Sequence, residues 1–280
     1  MTKPLILCAD DYALSPGVTR GILAALEAGR INATGAMTNR PLWKEAARDV
    51  MAFADRADIG LHLNFTFGSP LGGMVKLAPS GELPKLGPFL KAARAGTLPQ
   101  EEIRAEIARQ IDAFEEATGR APAFIDGHQH VQVFPVVRDA LFNEVVRRGY
   151  AGKVWLRDSS DHLLAILLRR VEIPKALIVA WLARGFAAEA ARFGFQVNKG
   201  FAGFSAFDAT RDYGKDFARY CSHQDERPLI MCHPGFVDED PNAGDEVTAS
   251  REAELQFLLS DDFTKKLEAA GLELRLWSRM

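Results

Sequence analysis

Leu5-Ile6-Leu7-Cys8-Ala9-Asp10-Asp11-Tyr12 is the stretch that decides how the rest of this chain reads. An unbroken apolar run, predicted as a strand, ends on two adjacent carboxylates. Three later strand-like runs end in the same manner. Ile59-Gly60-Leu61-His62-Leu63 ends near His62, Phe124-Ile125-Asp126 leads into His128 and His130, and Leu229-Ile230-Met231-Cys232 ends on His233. Parallel sheets and barrels carry their chemistry at the carboxyl ends of their strands. Four strand ends bearing Asp and His therefore predict one site on one edge, and a hydrolytic metal centre is the first reading.

Outward from these strands, helical and extended patterns alternate to the end of the chain without repeats or a low-complexity linker. Ser15-Pro16-Gly17 reads as the cap and first turn of a helix that ends at Gly29. Ile103, Ile107, Ile111 and Phe114 mark one face of another, stopped by Gly119. A single last helix is expected over Ser250 to Ala270, and Phe195 to Phe207 takes no clear assignment. Strand, helix, strand in this order implies a parallel sheet with right-handed crossovers. About seven such units favour a single-domain α/β fold over residues 1–280, a closed or nearly closed (β/α) barrel, over an open doubly wound sheet. Two insertions interrupt it. The stretch 66–99 is rich in glycine and proline and has the length of a lid or substrate wall; the stretch 160–194 is helical and apolar.

The 280 residues are 48% hydrophobic and 25% charged, an ordinary globular balance. Thirty-four basic against 37 acidic residues give a net charge of -3 with no basic stripe, which argues against nucleic acid as a partner. Arg169, Arg170, Glu172 and Lys175 cut the most apolar region into runs too short to span a bilayer. Before the first strand there is only Lys3 and no apolar leader, so no signal peptide is expected. Cys8, Cys221 and Cys232 have no zinc-like spacing, and two lie in apolar strands. Buried reduced thiols and a cytoplasmic protein are expected.

Divalent metals take imidazole and carboxylate ligands, and a hydrolytic site leaves positions open for water and substrate. Asp11, His62 and His128 would supply one oxygen and two nitrogens. On an extended strand Asp10 and Asp11 face opposite ways, so the chain must bend there for both to reach one site. One carboxylate can then bind metal while the other acts as a base. Taken singly, Asp10-Asp11-Tyr12 is also a polar loop before the Ser15 cap, and His62 also a core histidine. His128 and His130 share a face if their strand continues; one suffices as ligand, leaving the other to orient a ligand or touch substrate. Asp126 suits the second N–H of a ligating imidazole, and with His130 and Asn64 is an expected substrate-side residue. His233, stopped by Pro234-Gly235, is a candidate acid or a turn residue. Arg157 ends its strand where it either pairs with Asp10, holding it ionised, or makes a surface salt bridge.

Ala9-Asp10-Asp11-Tyr12-Ala13-Leu14-Ser15-Pro16-Gly17-Val18 resembles the ADDFGLSxGV opening of the YdjC-like carbohydrate deacetylases. Gly60-Leu61-His62-Leu63, Ile125-Asp126-Gly127-His128-Gln129-His130-Val131 and Cys232-His233-Pro234-Gly235-Phe236 match three later blocks in the right order. The resemblance spans nearly the whole chain and is close to the chitooligosaccharide deacetylase branch. The third block departs from DSHHHVH, with Gly127, Gln129 and Gln132 in place of Ser, His and His; the first histidine is kept as His128.

The resemblance implies a distorted (β/α) barrel of the polysaccharide deacetylase type, a divalent metal and, as a family-level expectation, a homodimer. It implies Asp11, His62 and His128 as ligands, Asp10 as catalytic base and, less directly, His233 as acid. The family implies magnesium, whereas two imidazoles favour zinc or another transition metal. The expected reaction is Asp-assisted attack of activated water on the acetamide of an N-acetylglucosamine-containing oligosaccharide or glycoconjugate. Its rivals are another metal-dependent amidohydrolase, a sugar-binding relative without turnover, and a glycolipid N-deacetylase whose lipid tail lies in the 160–194 insertion. An HxH like His128-Gln129-His130 normally closes the first barrel strand, and sugar binding alone does not need two aspartates.

Overall fold

The computed structural model describes residues 2–238 and 248–280, and its centre is β1 (Lys3–Tyr12). On one side follow β2 (Ala33–Ala36), β3 (Asp58–Leu63), β4 (Phe124–Gly127) and β5 (Trp155–Leu156). On the other side β6 (Phe201–Ala202) pairs with β7 (Leu229–Cys232), which pairs with β1, and β8 (Leu272–Leu274) joins the start of β1. Every pairing of these strands is parallel. One parallel bridge, Leu156 to Val197, brings the β5 edge to the segment that runs into β6. Asn198 secures this seam: its side chain accepts from Asp158 N (2.8 Å) and donates to Asp158 O (2.9 Å). The result is a parallel barrel with one thin seam, in keeping with the distorted α/β barrel expected.

Helices fill the crossovers. In α1 (Pro16–Glu27), Ser15 accepts from Val18 N, and Pro16 occupies the first turn. Next come α2 (Trp43–Met51), α3 (Leu86–Arg94) and α4 (Gln100–Thr118), the last ended by Gly119 at φ 71. After α5 (Pro135–Arg147), the apolar insertion folds as α6 (Leu163–Arg169), α7 (Ile173–Leu182) and α8 (Phe186–Arg192). α9 (Tyr213–Tyr220) precedes β7, and α10 (Thr248–Leu259) and α11 (Asp261–Ala269) precede β8. The expected single last helix is thus two. Ser260 is extended and starts α11 with Asp261 and Asp262 in the first turn, an arrangement that favours a new helix start over continuation. The glycine- and proline-rich stretch holds α3, because Pro88 sits in the first turn, where a missing N–H is tolerated.

Period two along the strands separates two cores. Leu5, Leu7 and Ala9 of β1 join the large cluster under the helices; Ile6 and Cys8 join a smaller one with Phe124, Trp155, Phe201 and Met231. This second cluster is the barrel interior, with Trp155 stacked on Phe124 (4.3 Å) and on Trp277 (4.9 Å). Continuing each inward row by two residues reaches Asp10 after Cys8, Asp126 after Phe124, Arg157 after Trp155 and His233 after Met231. The apolar interior therefore ends in a polar layer at the carboxyl edge. All three cysteines are free and buried. Among the described residues no helix is long and apolar enough to cross a membrane.

Candidate metal centre

Asp10 and Asp11 reach one site because β1 is broken between them. The register of β1 against β2 shifts between Ala9 and Tyr12, and Asp11 has φ 73, Ala13 φ 68. Left-handed backbone is unfavourable for residues with a Cβ, although Asp tolerates it better than most. Here it turns the second carboxylate to the same side as the first, the bend that the sequence required.

Asp11 Oδ1 faces two imidazoles, His128 Nδ1 at 2.9 Å and His62 Nε2 at 3.3 Å, while Oδ2 accepts from Arg251 Nη2 at 2.8 Å. The ligand atoms of Asp11, His62 and His128 lie within 4.8 Å of one another. His62 Nδ1 is bonded to Asp126 Oδ1 at 2.7 Å. Asp126 in turn contacts Arg157, whose guanidinium also grips both oxygens of Asp10 at 2.7 and 2.5 Å. Arg157 has no exposed surface and Asp10 3%. This is the buried pair, not a surface salt bridge.

Whether these residues suit a divalent cation turns on one orphaned atom. His62 Nε2 is buried and makes no hydrogen bond, although Asp11 Oδ1 lies beside it. With Nδ1 tied to Asp126, Nε2 points to where Asp11 and His128 also aim, and a cation there would take the place of its proton. The charges agree. Burial would depress the His62 pKa, yet Asp126, Asp10 and Asp11 push it up to about 10, so the cluster favours added positive charge there. Burial would raise Asp11, but Arg251 and His128 hold it well below the usual carboxylate range. Burial likewise opposes ionisation of Asp10, and Arg157 overrides it. The donor set fits a divalent cation.

The remaining candidates divide. His233 and His130 line the same cavity, of about 380 Å³, as Asp10, Asp11, His62 and His128. Burial takes His233 down to about 4 despite Asp10 and Asp11, so it is neutral at pH 7. Its backbone N–H donates to Glu254 Oε2 at 2.6 Å, and its ring meets Phe207 edge-on at 5.0 Å. His130 does not share a face with His128. The strand stops at Gly127, and Gln129 and His130 are left-handed, which carries His130 to Ser159 Oγ at 3.0 Å. Burial and then Arg157 lower its pKa to about 3.

Asn64 and Asp126 are corrections. Both have no exposed surface and neither lines the cavity. Asn64 is engaged by Asn39 and by the 66–67 backbone, shaping the turn after β3. Asp126 lies behind His62, bonded to its Nδ1 as the second N–H of that ring requires, and it does not face the cavity. Gln132 is also internal, bonded to Ser159 Oγ at 3.0 Å. A Cβ at Gly127 would lie 2.7 Å from Gln132 Oε1, so two of the departures from the family block accommodate each other. Arg251 and Glu254, three residues apart on α10 and buried, were not anticipated. Two buried charges at helical spacing are a signal for an internal role, but nothing local names their targets.

The chain is similar to known carbohydrate deacetylases. A chitooligosaccharide deacetylase of Escherichia fergusonii is 30% identical over 247 residues, covering 85% of this chain and 84% of that one. One from Citrobacter koseri is 31% identical over 242 residues, with the same shares. A solved Enterococcus faecalis V583 protein, provisionally assigned to cellobiose-phosphate cleavage, superposes with TM-score 0.74 at 22% identity, covering 100% of this chain and 99% of that one. A peptidoglycan N-acetylglucosamine deacetylase shares the fold at TM-score 0.50 and 12% identity, covering 99% of this chain and 87% of that one. Residues 4–269 match the YdjC-like protein family, and the chain belongs to that family.

Proposed function

We propose that this protein is a metal-dependent carbohydrate N-deacetylase, hydrolysing the acetamide of an N-acetylglucosamine-containing sugar. The observation that carries this reading is the convergence of Asp11, His62 and His128 beside a second, ion-paired carboxylate at an open cavity. The activity named for its relatives supports the substrate class. Asp11, His62 and His128 would hold the cation, zinc or another transition metal by ligand type and magnesium by family resemblance. When bound, it supplies a Lewis acid that acidifies water and polarises the acetamide carbonyl.

The protein's own groups manage the proton. Asp10, kept ionised and aimed by Arg157, accepts it from the attacking water. The departing nitrogen needs one proton, and His233 relays to it the proton that Asp10 gained. A neutral imidazole suits a relay, because its basicity rises as negative charge develops nearby and falls as that charge leaves. Acetate and the free amino sugar result, and Asp10 returns to its ionised form.

Acetate release from N-acetylglucosamine oligomers should occur, stop with chelator and return with one added divalent metal. No acetate from monomer through tetramer, with magnesium, zinc, cobalt or manganese supplied, would overturn the assignment.

A further inference from the structure

We infer that the acetylated sugar carries an alkyl-type apolar aglycone held between the two insertions. This rests on the deacetylase reading and names the substrate class of the same site. The acidic and imidazole groups of the cavity gather around the metal centre, whereas the walls are mainly apolar, with Gln129, Lys175 and Ser205 as their polar members. Leu86 and Leu90 come from α3; Ile178, Val179 and Leu182 come from α7, joined by Phe204. A second sugar unit would bring a ring of hydroxyls against these walls, and hydroxyls desolvated without partners are unfavourable. A methylene chain meets them without that loss.

The apolar surface also continues outside. Ile178 lines the cavity yet is 53% exposed, and Trp181, one turn further on α7, is 66% exposed. Only Ala176 is fully buried in the ten residues of α7, an apolar helix by sequence. α6 packs against α7 and exposes Leu163, Leu164, Leu167 and Leu168, whose spacing places them on one helix face. Scattered exposed apolar residues are ordinary; a set on two packed helices beside a cavity marks a contact surface. Because Ile178 belongs to both cavity and surface, a chain leaving the sugar passes over it towards Trp181.

The test is acetate release by the metal-loaded protein from methyl, butyl and octyl N-acetylglucosaminides below their micelle concentrations, with diacetylchitobiose alongside. A fully buried methylene contributes roughly fourfold in affinity, so a partly exposed groove should raise kcat/KM about twofold per methylene. Ile178→Asn, at a half-exposed position, should flatten that dependence. Octyl but not methyl glycoside should shift Trp181 emission to shorter wavelength, a change absent from Trp181→Phe. Equal kcat/KM for methyl and octyl, or a preference for diacetylchitobiose, overturns the aglycone proposal and leaves the deacetylase reading intact. No acetate from any of them overturns both. A concentration-dependent dimer that buries Trp181 without glycoside assigns the surface to a second copy instead.

Discussion

A carboxylate with almost no exposed surface is unfavourable unless paired, and Asp10 is ionised because Arg157 meets both its oxygens. Asp10→Asn keeps the shape and removes the base. Turnover should fall roughly 10²–10⁴-fold while metal content, read by elemental analysis, stays at the wild-type level. Loss of metal from this variant but not from Asp11→Asn would show the two roles reversed. His62→Ala and His128→Ala should lose metal and activity together; full occupancy in both would remove them from the ligand set. For His233 the leaving group is the discriminator. His233→Ala should slow amide hydrolysis strongly, yet cost an ester with a good leaving group far less, since such a group departs without a proton. Since the free imidazole titrates near 4, it stays neutral from pH 5 to 8. No step in kcat/KM across that window should therefore vanish in the variant. If one does, His233 enters the reaction charged.

At the scale of elements, β2 matters although it contributes no functional side chain. A Cβ on Gly35 would lie 3.1 Å from Asp126 Oδ1 and 3.2 Å from His62 Nδ1. Gly35→Ala should push the imidazole from its partner and weaken metal binding about 10–100-fold, as other losses behind a ligand do. A chelator titration would read this, and an unchanged midpoint would mean that the pair yields without consequence. The long strands were legible because their apolar runs stop abruptly on charge. β6 was not: Phe201–Ala202 is two residues between Gly200 and Gly203, too short to show alternation, and only its pairing with β7 defines it. A face shared by His128 and His130 was conditional on a continuing strand, and the strand stops at Gly127. The left-handed pair Gln129 and His130 has no glycine to announce it.

For the whole molecule, β/α alternation was enough to indicate a barrel, and strand ends were enough to indicate where its carboxylates and imidazoles gather. The layer behind was illegible, because it is assembled by packing from α10: Arg251 reaches Asp11 across 240 residues of sequence, and Glu254 reaches the His233 backbone across 21. Glu254 sets a global prediction. Burial pushes its pKa from 4.5 to about 7, although the His233 N–H and Arg251 oppose the rise. A carboxyl whose folded value is raised stabilises the fold at low pH and loses that contribution as pH climbs from the unfolded value through the folded one. Glu254→Gln should thus match wild type near pH 4 and exceed it by up to ~3 kcal/mol at pH 8. Denaturant melts at the two pH values would show it; a gap independent of pH would place the carboxyl's proton elsewhere.

One guanidinium, that of Arg157, touches both the carboxylate proposed as base and the carboxylate behind a proposed ligand. The two halves of the site therefore share a single point of failure. Retuning Asp10 by altering Arg157 also disturbs Asp126, and through it His62. A change at Arg157 cannot then touch one half and spare the other. A relative altered at Arg157 should have lost turnover and metal together, whereas an inactive relative retaining Arg157 and Asp126 but lacking Asp10 should still bind its metal.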